Sequence, residues 1–215
     1  MNAFDKTFLH LELKTQAIAI GERIKGGTFR PCIENIPTST LKGAFKKHFG
    51  LGDIFAIGFF REGTFEKNIF TYAPFDTFLG TAKLPISLEY LKPAAGVKAI
   101  EADIYVVKNE AAISFAKLLP TEIFLGALKT KGFGRCKLQY INSDKEAPLK
   151  IGYLRGRLLE EEQESFRIVK VIKQCYGYLF YPTSEIDGVY KRALFEGSII
   201  KGPEILLKEE YKYDY

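Results

Sequence analysis

Cysteine and histidine are scarce: three of the first and two of the second in 215 residues, with no CxxC pair. Cys32, Cys136 and Cys175 are odd in number and widely spaced, which speaks against a thiolate zinc cage and against a disulfide framework. A reducing, cytoplasmic setting is the expectation. No apolar run approaches the ~20 residues that span a bilayer. The opening MNAFDKTFLHLELK lacks the layout of a signal peptide, so no membrane partner is expected. Charge of one sign is also in short supply. Thirty-one basic residues against 26 acidic give +5, too mild to act unless the cations cluster. They do so at Lys42, Lys46 and Lys47, and again at Lys129, Lys131, Arg135 and Lys137. The acidic run Glu160, Glu161, Glu162 and Glu164 lies elsewhere. A single Met beside many Lys and Glu leans towards a thermophile composition.

Apolar material is plentiful: 47% hydrophobic, with 18 Phe and 12 Tyr. That supports a packed core and excludes global disorder. TFLHLELKT (7–15) alternates, with Leu9, Leu11 and Leu13 on one side and Phe8, His10 and Glu12 on the other, which predicts a half-buried strand. A Gly-rich basic stretch up to Pro37 reads as a long loop. TSTLKGAFKKHFG predicts a helix over 38–50, capped by Thr38, Ser39 or Thr40. Its inner face would be Leu41, Ala44, Phe45, His48 and Phe49, with Lys42, Lys46 and Lys47 outside it. Gly50 would close it in a left-handed cap.

AIEADIYVVK (99–108) predicts a strand. Residues 109–130 carry a long apolar helical pattern, opened by Asn109 and bent at Pro120. RCKLQYIN (135–142) alternates as a strand, and SDKEAP (143–148) reads as a polar linker. The segments beyond are strand-like, rich in β-branched and aromatic residues. The order strand, helix, strands, helix, strand predicts an α+β, ferredoxin-like (RRM-like) domain over 1–145. A short, mostly β C-terminal part follows at 149–215. The acidic tail with Tyr211, Tyr213 and Tyr215 is expected to fray or to dock on a partner.

TKGFGRCKL (130–138) raises the question of a phosphate cradle. A dinucleotide fingerprint needs glycines after a strand and before a helix. Here the order is helix, glycine loop, strand, and no GK[ST] ending is present, so no nucleotide cofactor is expected. Two readings remain. Amides around Gly132 and Gly134 could form an anion-binding concavity, with Lys129, Lys131 and Arg135 as counter-charge and Phe133 packed down or stacked on a base. Alternatively, Gly132 is a helix cap and Gly134 a tight turn.

IPTSTLKGAFKKHFG resembles the IPGSSLKGALR-type segment at the first helix of the RAMP superfamily of CRISPR-associated proteins. LGALKTKGFGRCKL resembles that superfamily's glycine-rich loop. ALFEGSIIKGP (193–203) is similar to a Gly-Ser segment near the C-terminus of type III subunits that hold the 5′ handle of guide RNA. The resemblance implies a ferredoxin-like fold and a subunit that binds guide RNA (crRNA) beside other CRISPR effector subunits. Carried over residue by residue, it implies that Ser39, Lys42 and Gly43, with Gly132, Phe133, Gly134 and Arg135, approach the RNA backbone or support its groove. Lys129 and Lys131 join them as neighbouring cations.

Thr38 stands where that family usually has glycine. No Asp occurs between Gly21 and Pro37, where the target-cutting subunits carry one, so target cleavage is not expected. Metal-independent RNases of the superfamily need a general base and acid. The only histidines are His10, read as a sheet-surface residue, and His48, in the last turn of the first helix. Glu22 and Glu34 read as solvated loop glutamates rather than metal ligands, and Cys136 as structural despite Arg135 beside it. An RNA-binding subunit without catalysis is therefore the leading expectation. A repeat-processing RNase using His10 or His48, and a protein-interaction module without RNA contact, are the alternatives.

Overall fold

In the computed structural model, residues 7–21, 27–183 and 187–208 are described. Six strands form one sheet in the order Thr121–Phe124, Arg135–Glu146, Thr7–Thr15, Ile100–Val107, Ala56–Phe60 and Asn35–Ile36. Every neighbouring pair is antiparallel. Helix α1 (Thr38–Phe49) and helix α2 (Glu110–Ala116) pack on one face of it. There Leu41 and Phe45 from α1 and Phe115 from α2 meet Leu9, Leu11 and Leu13 of the first strand. Each such side chain, fully buried, contributes about 1.5–3 kcal/mol. The chain is α+β and mostly sheet. Among the described residues no helix is long and apolar enough to cross a membrane.

The other face is not open to solvent as the alternation of Thr7–Thr15 predicts. Phe8, Ile57, Phe59 and Tyr105 are covered by Leu154, Phe166, Leu194 and Ile200 of the C-terminal part. That part holds a four-stranded sheet, ordered Lys170–Lys173, Ile199–Pro203, Leu149–Leu154, Leu207–Lys208, and a three-stranded one, ordered Leu158–Leu159, Gly188–Leu194, Tyr176–Pro182. The predicted polar linker is also absent. Arg135–Glu146 is one strand whose end pairs with the first strand in the register Thr7↔Glu146 and Phe8↔Lys145. A waiting sheet edge outweighs the turn preference of Ser, Asp and Lys.

The predicted helix over 109–130 is mostly not helix. Asn109 caps it as expected, accepting from the Ala112 amide at 2.7 Å, but α2 ends at Ala116. Pro120 has no amide hydrogen to continue it. Beyond it Glu122, Ile123, Phe124 and Leu125 alternate exposed and buried, and Thr121–Phe124 pairs with Arg135–Leu138. A strand period of two was hidden inside an apolar run.

Helix α1 lies where predicted, and Gly50 ends it at φ 71°, donating to the Lys46 carbonyl. Its N-terminus differs. Pro37 is the N-cap, and no side chain caps the helix. Thr38 is already helical, and its hydroxyl accepts from the Leu159 amide at 3.2 Å, tying the helix to the C-terminal part instead. His48 is exposed rather than on the inner face. Phe49 fills that place against Phe115, while the His48 ring stacks on Phe124.

The long loop before α1 carries two short strands. Phe29–Arg30 pairs with Ile86–Pro93, and Asn35–Ile36 joins the main sheet. Glu34 is paired with Lys67 at 2.9 Å; Glu22 and the tyrosines of the tail lie outside the described residues. Phe65–Tyr72 and Ile86–Pro93 form a hairpin arm. Its tip exposes Phe75, Phe78, Leu79 and Leu84, with Phe78 93% accessible.

Candidate nucleic-acid interface

A groove of about 890 Å³ opens between α1, the segment 124–129 and the aromatic hairpin of Tyr176–Pro182 and Gly188–Leu194. Ser39 and Gly43 from the helix-start motif line it, and so does Lys129 from the loop, ninety residues away. Lys46 and Lys47, one turn further along α1, line it too. Gly43 faces the hairpin: a Cβ there would lie 3.0 Å from Cγ of Pro182.

The glycine loop is held by backbone bonds to the segment after the first strand. The Gly134 amide donates to the Ala17 carbonyl at 2.7 Å, and the Ala127 amide donates to the Ala19 carbonyl at 2.8 Å. Gly134 has φ 76°, and a Cβ on it would sit 1.9 Å from the Leu125 carbonyl oxygen. No side chain can be accommodated against a fixed carbonyl at that distance. Gly132 caps the short 3-10 turn Lys129–Lys131 at φ 88°. The amides of Gly132 and Phe133 donate to the Lys129 and Leu128 carbonyls. The anion concavity, one of the two readings of this loop, is therefore not formed by the amides of Gly132, Phe133 and Gly134, each of which already donates to a backbone carbonyl. Phe133 packs down, buried edge-on to Tyr90 at 5.0 Å and tilted on Phe70 at 5.4 Å. It pins the loop to the arm and presents no face for a base.

The cations divide into two groups. Lys42, expected on the outer side of α1, is half-buried, 3.2 Å from Glu162 and over the Phe55 and Tyr181 rings. Arg135 holds Oε2 of Glu122 through two nitrogens at 3.0 and 2.8 Å. Lys131 is exposed, outside the groove lining. By contrast Lys46, Lys47 and Lys129 have no ion-pair or hydrogen-bond partner among the described residues. Partial burial, then Lys47, lowers the Lys129 ammonium below its ordinary range. Partial desolvation of the ring, then Lys129 and Lys47, lowers His48 in the same way. His48 Nε2 accepts the Phe124 amide at 3.0 Å, so the ring is neutral at that nitrogen. Among the described residues no carboxylate lines this groove.

His10 lies far from these cations, on the opposite face of the sheet. Its Nε2 is 2.6 Å from Oδ1 of Asp103, and its ring stacks on Tyr105 at 5.0 Å. Arg61 holds the same carboxylate at 2.8 and 3.1 Å. Burial pushes Asp103 up, but the Arg61 and His10 bonds outweigh it and hold the carboxyl below its usual range. Cys136 is buried, and that burial pushes its thiol up to about 12, the opposite of activation by Arg135. All three cysteines are free. Among the described residues no group of three or more His, Cys, Asp or Glu is arranged to hold a metal. In the third motif, Ser198 is buried and bonds both backbone groups of Cys175, while Glu196 holds Arg157 and Asn35.

Sequence reasoning named Lys46 and Lys47 as part of a basic run but did not place them in the site. Their signal was position, one turn beyond Lys42 and Gly43. It missed Tyr178, Phe180 and Tyr190 of the hairpin, whose alternation was visible but whose contact with the groove is long-range.

No protein-family model matches the chain, and no curated protein matches it. Solved structures do. A chain in the cryo-EM structure of the Type III-B Cmr-beta bound to cognate target RNA and AMPPnP, state 1, aligns with a TM-score of 0.58 at 14% identity, over 89% of this chain and 86% of that one. A chain of Type III-B Cmr-beta bound to cognate target RNA alone aligns at 0.56, also at 14% identity, over the same shares. At this identity the likeness is one of fold. The fold is shared with chains of these Type III-B Cmr-beta structures, in agreement with the resemblance drawn from the motifs.

Proposed function

We propose that the chain is an RNA-binding subunit of a type III CRISPR effector complex and that it holds guide RNA in this groove. One observation carries the reading. Two motifs ninety residues apart, each resembling a segment of the RAMP superfamily, line one cleft, where among the described residues three lysines stand without partners and no carboxylate opposes them. A cleft of that charge attracts a polyanion, and phosphates would relieve the mutual repulsion of Lys47 and Lys129. The order of the four central strands, fourth, first, third, second with all neighbours antiparallel, is read as ferredoxin-like.

In this reading Ser39, Lys46, Lys47 and Lys129 contact the backbone. Gly43, Gly132, Phe133 and Gly134 shape and brace the groove, and Lys42 joins its helix to the C-terminal part. Lys131 and Arg135 extend the basic path beyond the groove, with Arg135 exchanging Glu122 for phosphate. Binding rather than cleavage is proposed, because His10 and His48 are each committed to other partners and stand on separate elements. Other subunits are proposed as partners, consistent with the exposed apolar tip of the arm. Fluorescence anisotropy of the purified chain with labelled repeat RNA, over a range of salt, tests the reading. Binding that weakens steeply with salt supports it; no binding at low salt overturns it.

A further inference from the structure

The groove is asymmetric. One side, from α1 and the segment 124–129, carries Lys46, Lys47 and Lys129. The other side, from the hairpin, carries Tyr178, Phe180 and Tyr190. Phe180 stands opposite Tyr190 in the strand register, and their rings meet edge to face at 5.9 Å. Tyr178 is 67% accessible and Tyr190 44%. Among the described residues Tyr178 has no ring, hydrogen-bond or ion-pair partner. Its neighbour Tyr176, by contrast, is covered by the Arg192 guanidinium at 3.5 Å. Large aromatic faces left open across a cleft from unpaired cations are uncommon without a purpose, because burying them is favourable.

We infer that the groove takes single-stranded RNA across two walls, with phosphates on the lysine side and bases stacked on Tyr178 and Tyr190. The inference rests on the proposed RNA-binding function and adds the form of RNA and the residues that select it. A duplex keeps its base faces stacked inside and presents phosphates and 2′-hydroxyls. It would satisfy the lysines and leave both tyrosines bare. A single strand offers both chemistries at once, and stacking is tolerant of sequence because every base has a π-face. A cleft of about 890 Å³ is the size of a small-molecule pocket, which suits a few splayed nucleotides and not a helix.

The test is anisotropy of the full chain with a short labelled oligouridylate, with the same strand made abasic at its centre, and with a duplex of equal length. The variants are Tyr178→Ala with Tyr190→Ala, and Tyr178→Phe with Tyr190→Phe. Both positions are accessible, and thermal melts confirm that the variants fold. The alanine pair is expected to lose about tenfold in affinity per ring, with the salt slope unchanged. The phenylalanine pair should bind as the parent does, and the abasic strand should bind the parent as weakly as the intact strand binds the alanine pair. Duplex bound as tightly as single strand, or alanine variants that bind like the parent with a steep salt slope, would overturn the stacking wall and leave RNA binding standing. Absence of RNA binding with retention of an acidic peptide would overturn both.

Discussion

The Lys42 ammonium lies 3.2 Å from Oε1 of Glu162, a carboxylate whose side chain is 1% accessible. The pair ties α1 to the C-terminal part. Removing the cation leaves a buried charge alone, so Lys42→Met is expected to cost about 3–5 kcal/mol of stability. Adding Glu162→Leu should recover most of the loss. If Lys42 braces the groove, the salt slope of RNA binding will be that of the parent. A stable Lys42→Met variant with a shallower slope would instead make Lys42 a phosphate contact.

Gly134 is the backbone position on which the loop depends. With φ at 76° and the Leu125 carbonyl 1.9 Å from any Cβ, Gly134→Ala is expected to lose about 3 kcal/mol or more, from left-handed strain and a clash with backbone. Gly132→Ala, with the same sign of φ but open space around it, should lose only about 1 kcal/mol. Denaturant melts rank the two, and equal losses would refute the packing role of Gly134.

His48 should make stability depend on pH. Its folded pKa lies below the ordinary 6.5, because partial desolvation, Lys129 and Lys47 disfavour the charged ring. The fold therefore binds fewer protons here than the unfolded chain does. The contribution is complete above about pH 6.5 and is lost as pH falls through that value towards the lower folded pKa. The melting temperature should drop over this window, and His48→Gln should flatten the drop. A parent and variant with parallel pH profiles would sink the assignment.

Part of this site was legible beforehand. The strand Thr7–Thr15, helix α1 with its Gly50 cap and the Asn109 cap follow local rules of alternation, spacing and side-chain bonding, and they stand where predicted. The two RAMP-like motifs were also readable, though not that Lys46 and Lys47 accompany them. Three things were hidden. Pro120 turned an apolar run into a strand by removing one donor. Glu146 continued a strand because Thr7 offered an edge. The aromatic wall of the groove comes from Tyr178 and Tyr190, brought in by packing of Leu179 and Leu159 far along the chain. Contacts of that range leave no periodic trace in a sequence.

Nuclease activity is not expected on guide, repeat or target RNA. The His10 imidazole is bound to a carboxylate already shared with Arg61, and His48 accepts a backbone amide. Incubating labelled repeat RNA with the protein, in Mg²⁺ and in EDTA, checks this by gel. Cleavage that disappears in His10→Ala or His48→Ala would promote the RNase reading.

The central claim is that Lys46, Lys47 and Lys129 meet phosphates in the groove. Its most direct measurement is the slope of log affinity against log salt for single-stranded RNA, in the parent and in the triple variant Lys46→Ala, Lys47→Ala, Lys129→Ala. Three lost contacts should shallow the slope by about 2, at roughly 0.7 per contact. Sequence preference should not change, because phosphate contacts carry no base information. A triple variant that stays folded and binds with the parent's slope would contradict the claim and move the RNA away from this groove.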